Sequence, residues 1–80
     1  MKYIIIYEKI IKIIRTINPY EQIAEDTKLI ENGILDSLSI LNLITQLEEE
    51  FEIEIADDAV KKKNFATVPD IIRLVEKSRV

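Results

Sequence analysis

Apolar residues recur every three or four positions along most of this chain, and the phase breaks at only a few points. Over residues 3–17, Tyr3, Ile4, Ile6, Tyr7, Ile10, Ile11, Ile13, Ile14 and Ile17 fill about half of a helical wheel. Lys2, Glu8, Lys9, Lys12, Arg15 and Thr16 fill the other half, with Ile5 as the one apolar residue among them. The isoleucines lower intrinsic helix propensity, and Ile4 to Tyr7 alone would suit a strand. The longer 3.6-residue period decides for a helix. Asn18-Pro19 ends it, because the residue before a proline avoids the α region. A long connection then runs to about Asp36, with a turn signal at Asn32-Gly33. Loops of this length in compact domains are functional or are held by their own side chains. Ile23, Leu29, Ile30 and Ile34 are the residues available to pin this one to a core.

The period resumes at Ser37 and predicts a second helix to about Glu52. Asp36 is a good N-cap for it, since its carboxylate can accept an otherwise unpaired N–H of the first turn. Ile40, Leu43, Ile44, Leu47 and Phe51 form one compact stripe, the core face. Leu38 and Leu41 fall off that stripe, on the far side with Asn42, Thr45, Glu48, Glu49 and Glu52. After Ile53-Glu54-Ile55, the run Ala56-Asp57-Asp58 caps a short third helix through Lys61, and Lys61-Lys62-Lys63-Asn64 follows as a charged connection. Thr67 caps a last helix with Pro69 tolerated in its first turn. Val68, Ile71, Ile72, Leu74 and Val75 give that helix its buried side.

Composition narrows the picture further. Eighty residues, 48% of them apolar, make one small domain over residues 1–80, and one Gly with two Pro favours long regular elements. The fold class is all-α. There is no cysteine and no histidine, which removes disulfides, thiol chemistry, soft metal sites and the usual general base. A small hydrolase with Ser37 as nucleophile therefore lacks its activating base. The net charge of −4 argues against nucleic acid, which wants a basic face to displace counterions from phosphates. The start, Met1-Lys2-Tyr3-Ile4-Ile5-Ile6-Tyr7, is interrupted by Glu8, Lys9, Lys12 and Arg15, and no cleavage-site pattern follows. It is also far short of the roughly 20 apolar residues needed to span a bilayer, so no membrane insertion is expected.

The candidate chemistry centres on Gly33-Ile34-Leu35-Asp36-Ser37-Leu38. With Asp36 as the cap, Ser37 falls in the first helical turn with its hydroxyl toward solvent. Taken alone Ser37 would read as a capping serine, a role that Asp36 already fills. Leu38 and Leu41, an apolar pair with an acidic rim, suit a transient docking surface. Glu48, Glu49, Glu50 and Glu52 read equally as a solvated face or as a guide toward basic partners. Lys61 to Lys63 could bind phosphates but read more readily as a solvated loop, and Glu25-Asp26 and Asp57-Asp58 read as loop and cap residues and not as a catalytic carboxylate pair. No catalytic residue and no metal site is assigned.

Asp36-Ser37-Leu38 opening a helix resembles the attachment site of acyl and peptidyl carrier proteins. The likeness extends through Leu29, Gly33 and Leu35 before it, and through Leu47-Glu48-Glu49-Glu50-Phe51 and Ile53-Glu54-Ile55 after it, into the last helix. The resemblance implies a four-helix bundle with a long first loop and a short third helix. It implies a covalent 4′-phosphopantetheine arm on Ser37, whose thiol holds an acyl or aminoacyl group as a thioester, so that a chain without cysteine can work by thiol chemistry. It implies that Asp36 supports the Mg²⁺ of the attaching transferase, a role that suits a carboxylate, and that Leu38, Leu41, Asn42, Thr45, Glu48 and Glu49 face partner enzymes. Those partners are a phosphopantetheinyl transferase, an acyl- or aminoacyl-activating ligase, and synthase or transferase enzymes. The chain is expected to be a discrete, monomeric, cytoplasmic carrier and not itself an enzyme.

Departures from the family bear on the pathway. Fatty-acid carriers usually have acidic residues at the positions of Ser39 and Asn42 and a methionine at Thr45. These differences lean toward nonribosomal peptide carriers or the D-alanyl carriers of cell-wall modification. The Glu48–Glu50 run leans back toward fatty acid biosynthesis. A reading outside the class is a helical interaction module in which Leu38 and Leu41 dock a partner and Ser37 only caps.

Overall fold

The strongest stretches of 3.6-residue periodicity each become an α-helix. A computed structural model describes residues 2–79, with α1 at Lys2–Ile17, α2 at Ser37–Phe51 and α3 at Val68–Ser78. No strand occurs among the described residues. The chain is all-helical, as its patterning requires. The side chain of Lys2, assigned above to the polar half of the first helix, falls outside those described.

The buried stripes meet in one core. Ile6, Ile10, Ile13 and Ile14 of α1, Leu43 and Leu47 of α2, and Val68, Ile71, Ile72, Leu74 and Val75 of α3 are all buried there. α1 packs against both α2 and α3. Two placements from the wheel are corrected at the start of α1. Tyr3 and Ile4 are 42% and 58% exposed, because the first turn overhangs the core that begins at Ile6. Tyr3 is held instead by its neighbours. Its hydroxyl donates to Glu25 Oε2 at 2.8 Å, and its ring stacks on Tyr7 at 6.4 Å. That hydrogen bond to a carboxylate raises the phenol's pKa. Along α2 the core stripe is narrower than the wheel suggests. Ile40, Ile44 and Phe51 are half-buried at its edge, and Lys9 Nζ sits 5.8 Å from the centre of the Phe51 ring.

The end of α2 turns on Glu52, which adopts the left-handed conformation with φ 53° and donates its N–H to the Glu48 carbonyl. The reversal brings the Ile55 N–H onto Glu48 Oε2 at 3.0 Å. In place of the expected short third α-helix stand two 3-10 turns, Asp57–Ala59 and Lys62–Phe65. Neither Ala56 nor Lys61, which precede them, supplies a side-chain cap, and Val60 leaves the helical region at ψ 78°. A segment this short without caps does not sustain i to i+4 bonding. Phe65, at the end of the second turn, is fully buried. α3 begins with a reciprocal cap. The Thr67 side chain accepts from Asp70 N–H, and the Asp70 carboxylate accepts from Thr67 N–H at 3.2 Å.

Residues 18–36 contain no helix or strand and are fixed by a few bonds. Leu29 is fully buried and donates its N–H to the Ala66 carbonyl at 2.8 Å. Its own carbonyl accepts from Ile34 at 2.8 Å and from Leu35 at 3.0 Å. These two hydrogen bonds to one oxygen need a tight turn, which Gly33 makes at φ +74°. A Cβ at Gly33 would meet nothing within 4 Å, so Gly33→Ala carries backbone strain alone. Denaturant unfolding should show it less stable by about 1–2 kcal/mol with no change in helix content. An unchanged midpoint would mean that the turn is not made by a left-handed residue.

Candidate functional site

The turn just described delivers the chain to the start of α2. Ile34 and Leu35, whose N–H groups both donate to the Leu29 carbonyl, are buried, and the next two residues, Asp36 and Ser37, emerge exposed. Asp36 has extended backbone angles, and its Oδ1 accepts the Ser39 N–H at 2.9 Å. Its carbonyl accepts from Ile40 at 2.8 Å, the first bond of the helix. The cap is thus Asp36, and Ser37 is the first residue of α2. Hydrogen bonds from the Ser39 N–H and hydroxyl hold the Asp36 carboxyl below its ordinary pKa. Its share in fixing the helix start is complete above the ordinary carboxylate range. That share is lost only as pH falls through the lowered value.

A cleft of about 520 Å³ opens beside Ser37. Leu35, Ile40, Leu41, Val60 and Phe65 give it apolar walls, and Asp36, Ser37, Lys61 and Lys62 stand around it as polar groups. Two elements distant in sequence meet here: the N-terminal turn of α2 and the segment carrying the 3-10 turns. Sequence reasoning placed Ser37 and Asp36 correctly at the helix start, but it missed Val60 and Phe65 as neighbours and singled out Lys61 and Lys62 without bringing them to Ser37. No local signal marked them, because their position depends on how the segment after α2 folds back.

The remaining predicted residues spread along α2. Leu38 and Leu41 are 79% and 59% exposed, on the side away from Leu43 and Leu47. Asn42 Oδ1 accepts from Gln46 Nε2 at 3.1 Å, and the Thr45 hydroxyl donates to the Leu41 carbonyl at 3.2 Å. Glu49 is exposed. Glu48 is different: it is half-buried and its carboxylate is committed to the Ile55 N–H. A charge reversal at Glu48 would disturb the turn after α2 as well as the surface field. Glu49 is therefore the cleaner probe of long-range attraction. Among the described residues no group of three or more Asp, Glu, His or Cys is arranged to hold a metal ion, and no helix is long and apolar enough to cross a membrane.

An exposed hydroxyl at a helix N-terminus, a separate residue doing the capping, and an adjoining apolar cleft with two ammonium groups fit a phosphate-linked, flexible organic arm. The N-terminal N–H groups favour the phosphate, and the cleft has room for the chain beside it. Comparison with known proteins agrees. Residues 8–75 match the family model described as "Phosphopantetheine attachment site". The chain is 40% identical over 63 residues to an acyl carrier protein of Wolinella succinogenes, covering 79% of each chain. It is 41% identical over 56 residues to an acyl carrier protein of a Sulfurovum species, covering 70% of this chain and 72% of that one. An acyl carrier protein of Campylobacter curvus is 35% identical over 57 residues, 71% of each.

Proposed function

The chain belongs to the phosphopantetheine-attachment family of acyl carrier proteins and takes a covalent 4′-phosphopantetheine, and we propose that Ser37 is where the arm is joined and that the cargo is an acyl group. One observation carries this assignment. Ser37 stands exposed at the first position of α2 while Asp36 performs the capping that would otherwise occupy it. The Ser37 hydroxyl forms the new P–O bond to coenzyme A as the pyrophosphate link breaks and adenosine 3′,5′-bisphosphate leaves. The hydroxyl proton passes to a base of the transferase, since no histidine or cysteine is present in this chain. Once bound, the arm supplies a thiol that carries the acyl group as a thioester.

Asp36 is proposed to serve the transferase's Mg²⁺ in addition to capping. Asparagine caps as well as aspartate. Asp36→Asn should therefore melt close to wild type and yet take the arm more slowly. Equal rates would leave Asp36 as a cap only.

Partner enzymes are read as docking over Leu38, Leu41, Asn42, Thr45 and Glu49. Leu41→Arg should change stability by no more than about 0.5 kcal/mol, as expected for an exposed position. It should slow arm transfer and acyl loading, because an apolar anchor of the docking face is lost. Loading at the wild-type rate would remove that face from the account.

An acyl cargo is favoured over an aminoacyl or D-alanyl one by the three relatives, each named an acyl carrier protein. The pair of 3-10 turns is read as the counterpart of the family's short third helix. The test is sequential. The chain is incubated with coenzyme A, Mg²⁺ and a broad-specificity transferase, and intact mass should show one arm. The product is then offered to a fatty-acyl-activating ligase and, separately, to a D-alanine-activating one. Thioester formation with the first supports the reading, and formation only with the second turns the protein into a D-alanyl carrier.

A further inference from the structure

The tri-lysine run does more than solvate a connection. Lys61 and Lys62 both line the cleft that Ser37 lines; Lys61 also borders a separate polar cleft against α3, which Lys63 lines and Lys62 does not. All three are exposed, and none takes part in the three ion pairs found among the described residues. A phosphodiester on Ser37 would add a negative charge beside Asp36, whose carboxyl is already held ionised by the Ser39 bonds. The two lysines that line the same cleft are the groups that offset it. Lys61 lies between the two 3-10 turns and Lys62 opens the second, so both lysines are carried by turn-bound backbone and not by a long flexible loop. We propose that Lys61 and Lys62 form a cationic clasp for the phosphodiester of the arm, steering the arm from Ser37 across the apolar cleft instead of out along α2. The clasp rests on the assignment of Ser37 as the attachment point.

The matched pair Lys62→Gln and Lys63→Gln tests it. Each removes one positive charge, at adjacent positions, from different clefts. Wild type and both variants are prepared without and with the arm, and intact mass verifies the state of each. Melting is followed at about 0.01 M and about 1 M salt, where the screening length falls from roughly 30 Å to roughly 3 Å. At low salt, the change in melting temperature on attaching the arm should be more favourable in wild type and Lys63→Gln than in Lys62→Gln. The difference should be roughly 1–8 °C, the size that an exposed ion pair has in so small a protein. It should vanish at high salt. The ³¹P resonance of the phosphodiester should move with salt in wild type and Lys63→Gln and move clearly less in Lys62→Gln, where only Lys61 remains. If all three proteins respond alike, the clasp is overturned while the attachment stands. If wild type gains no mass, the attachment reading fails and the clasp with it.

Discussion

Phe65→Ala will destabilise the protein by about 3–5 kcal/mol, the cost of removing a fully buried phenyl ring and leaving a cavity. A chain of 80 residues has on the order of 4–12 kcal/mol in total at the usual 0.05–0.15 kcal/mol per residue. The substitution should therefore remove a large share of that stability. Phe65 has this weight because it closes the second 3-10 turn and is buried where that turn meets α3. Ala66, the next residue, accepts the Leu29 N–H that pins the loop before Ser37. Loss of the ring should thus loosen the site as well as the core. Phe51→Ala is the internal comparison. Phe51 is only half-buried, so its loss should cost clearly less. Urea unfolding of both variants checks the order, and a Phe65→Ala midpoint above that of Phe51→Ala would contradict the packing described.

Ser37→Ala will fold like the wild type and take no arm. The side chain is exposed and the cap belongs to Asp36, so the helix start keeps its bond to Ser39. Alanine has the highest helix propensity, which leaves the stability of α2 unchanged or slightly raised. On the proposed attachment at Ser37 the hydroxyl oxygen forms the P–O bond, so the expected loss is complete and not a matter of degree. Circular dichroism and intact mass after the transferase reaction give both halves of the expectation. A full-length arm on Ser37→Ala would show that another hydroxyl is the true acceptor.

Helix periodicity carried most of the fold into view. α1, α2 and α3 begin and end within one or two residues of where Asn18-Pro19, Asp36 and Thr67 place them, because each boundary has a local chemical cause. The misplacements share a different cause. A wheel gives the direction of a side chain but not how far the neighbouring helix extends. Tyr3 and Ile4 therefore point toward the apolar half and still lie beyond the core, and Phe51 reaches only its edge. The third helix dissolved into 3-10 turns because Ala56 and Lys61 offer no caps and Val60 breaks the run. At the site, Asp36, Ser37, Leu38 and Leu41 were legible because they are neighbours in sequence. The bond from Ile55 to Glu48 and the cleft wall made by Val60, Lys61, Lys62 and Phe65 were not, because both depend on the chain reversal at Glu52. Those long-range placements change the reading of two charged groups. Glu48 becomes a fold-holding residue, and the lysines become neighbours of Ser37.

Ser37 and Ser39 lie two positions apart on the same first turn, one exposed and one bonded to the Asp36 cap. The most direct measurement takes the wild-type protein after reaction with coenzyme A and the transferase and fragments the peptide that spans both serines in the mass spectrometer. The account predicts a single added phosphopantetheine, with every site-determining fragment placing it on Ser37. An arm on Ser39 or on any other hydroxyl, or a protein that gains no mass with several transferases, would contradict it.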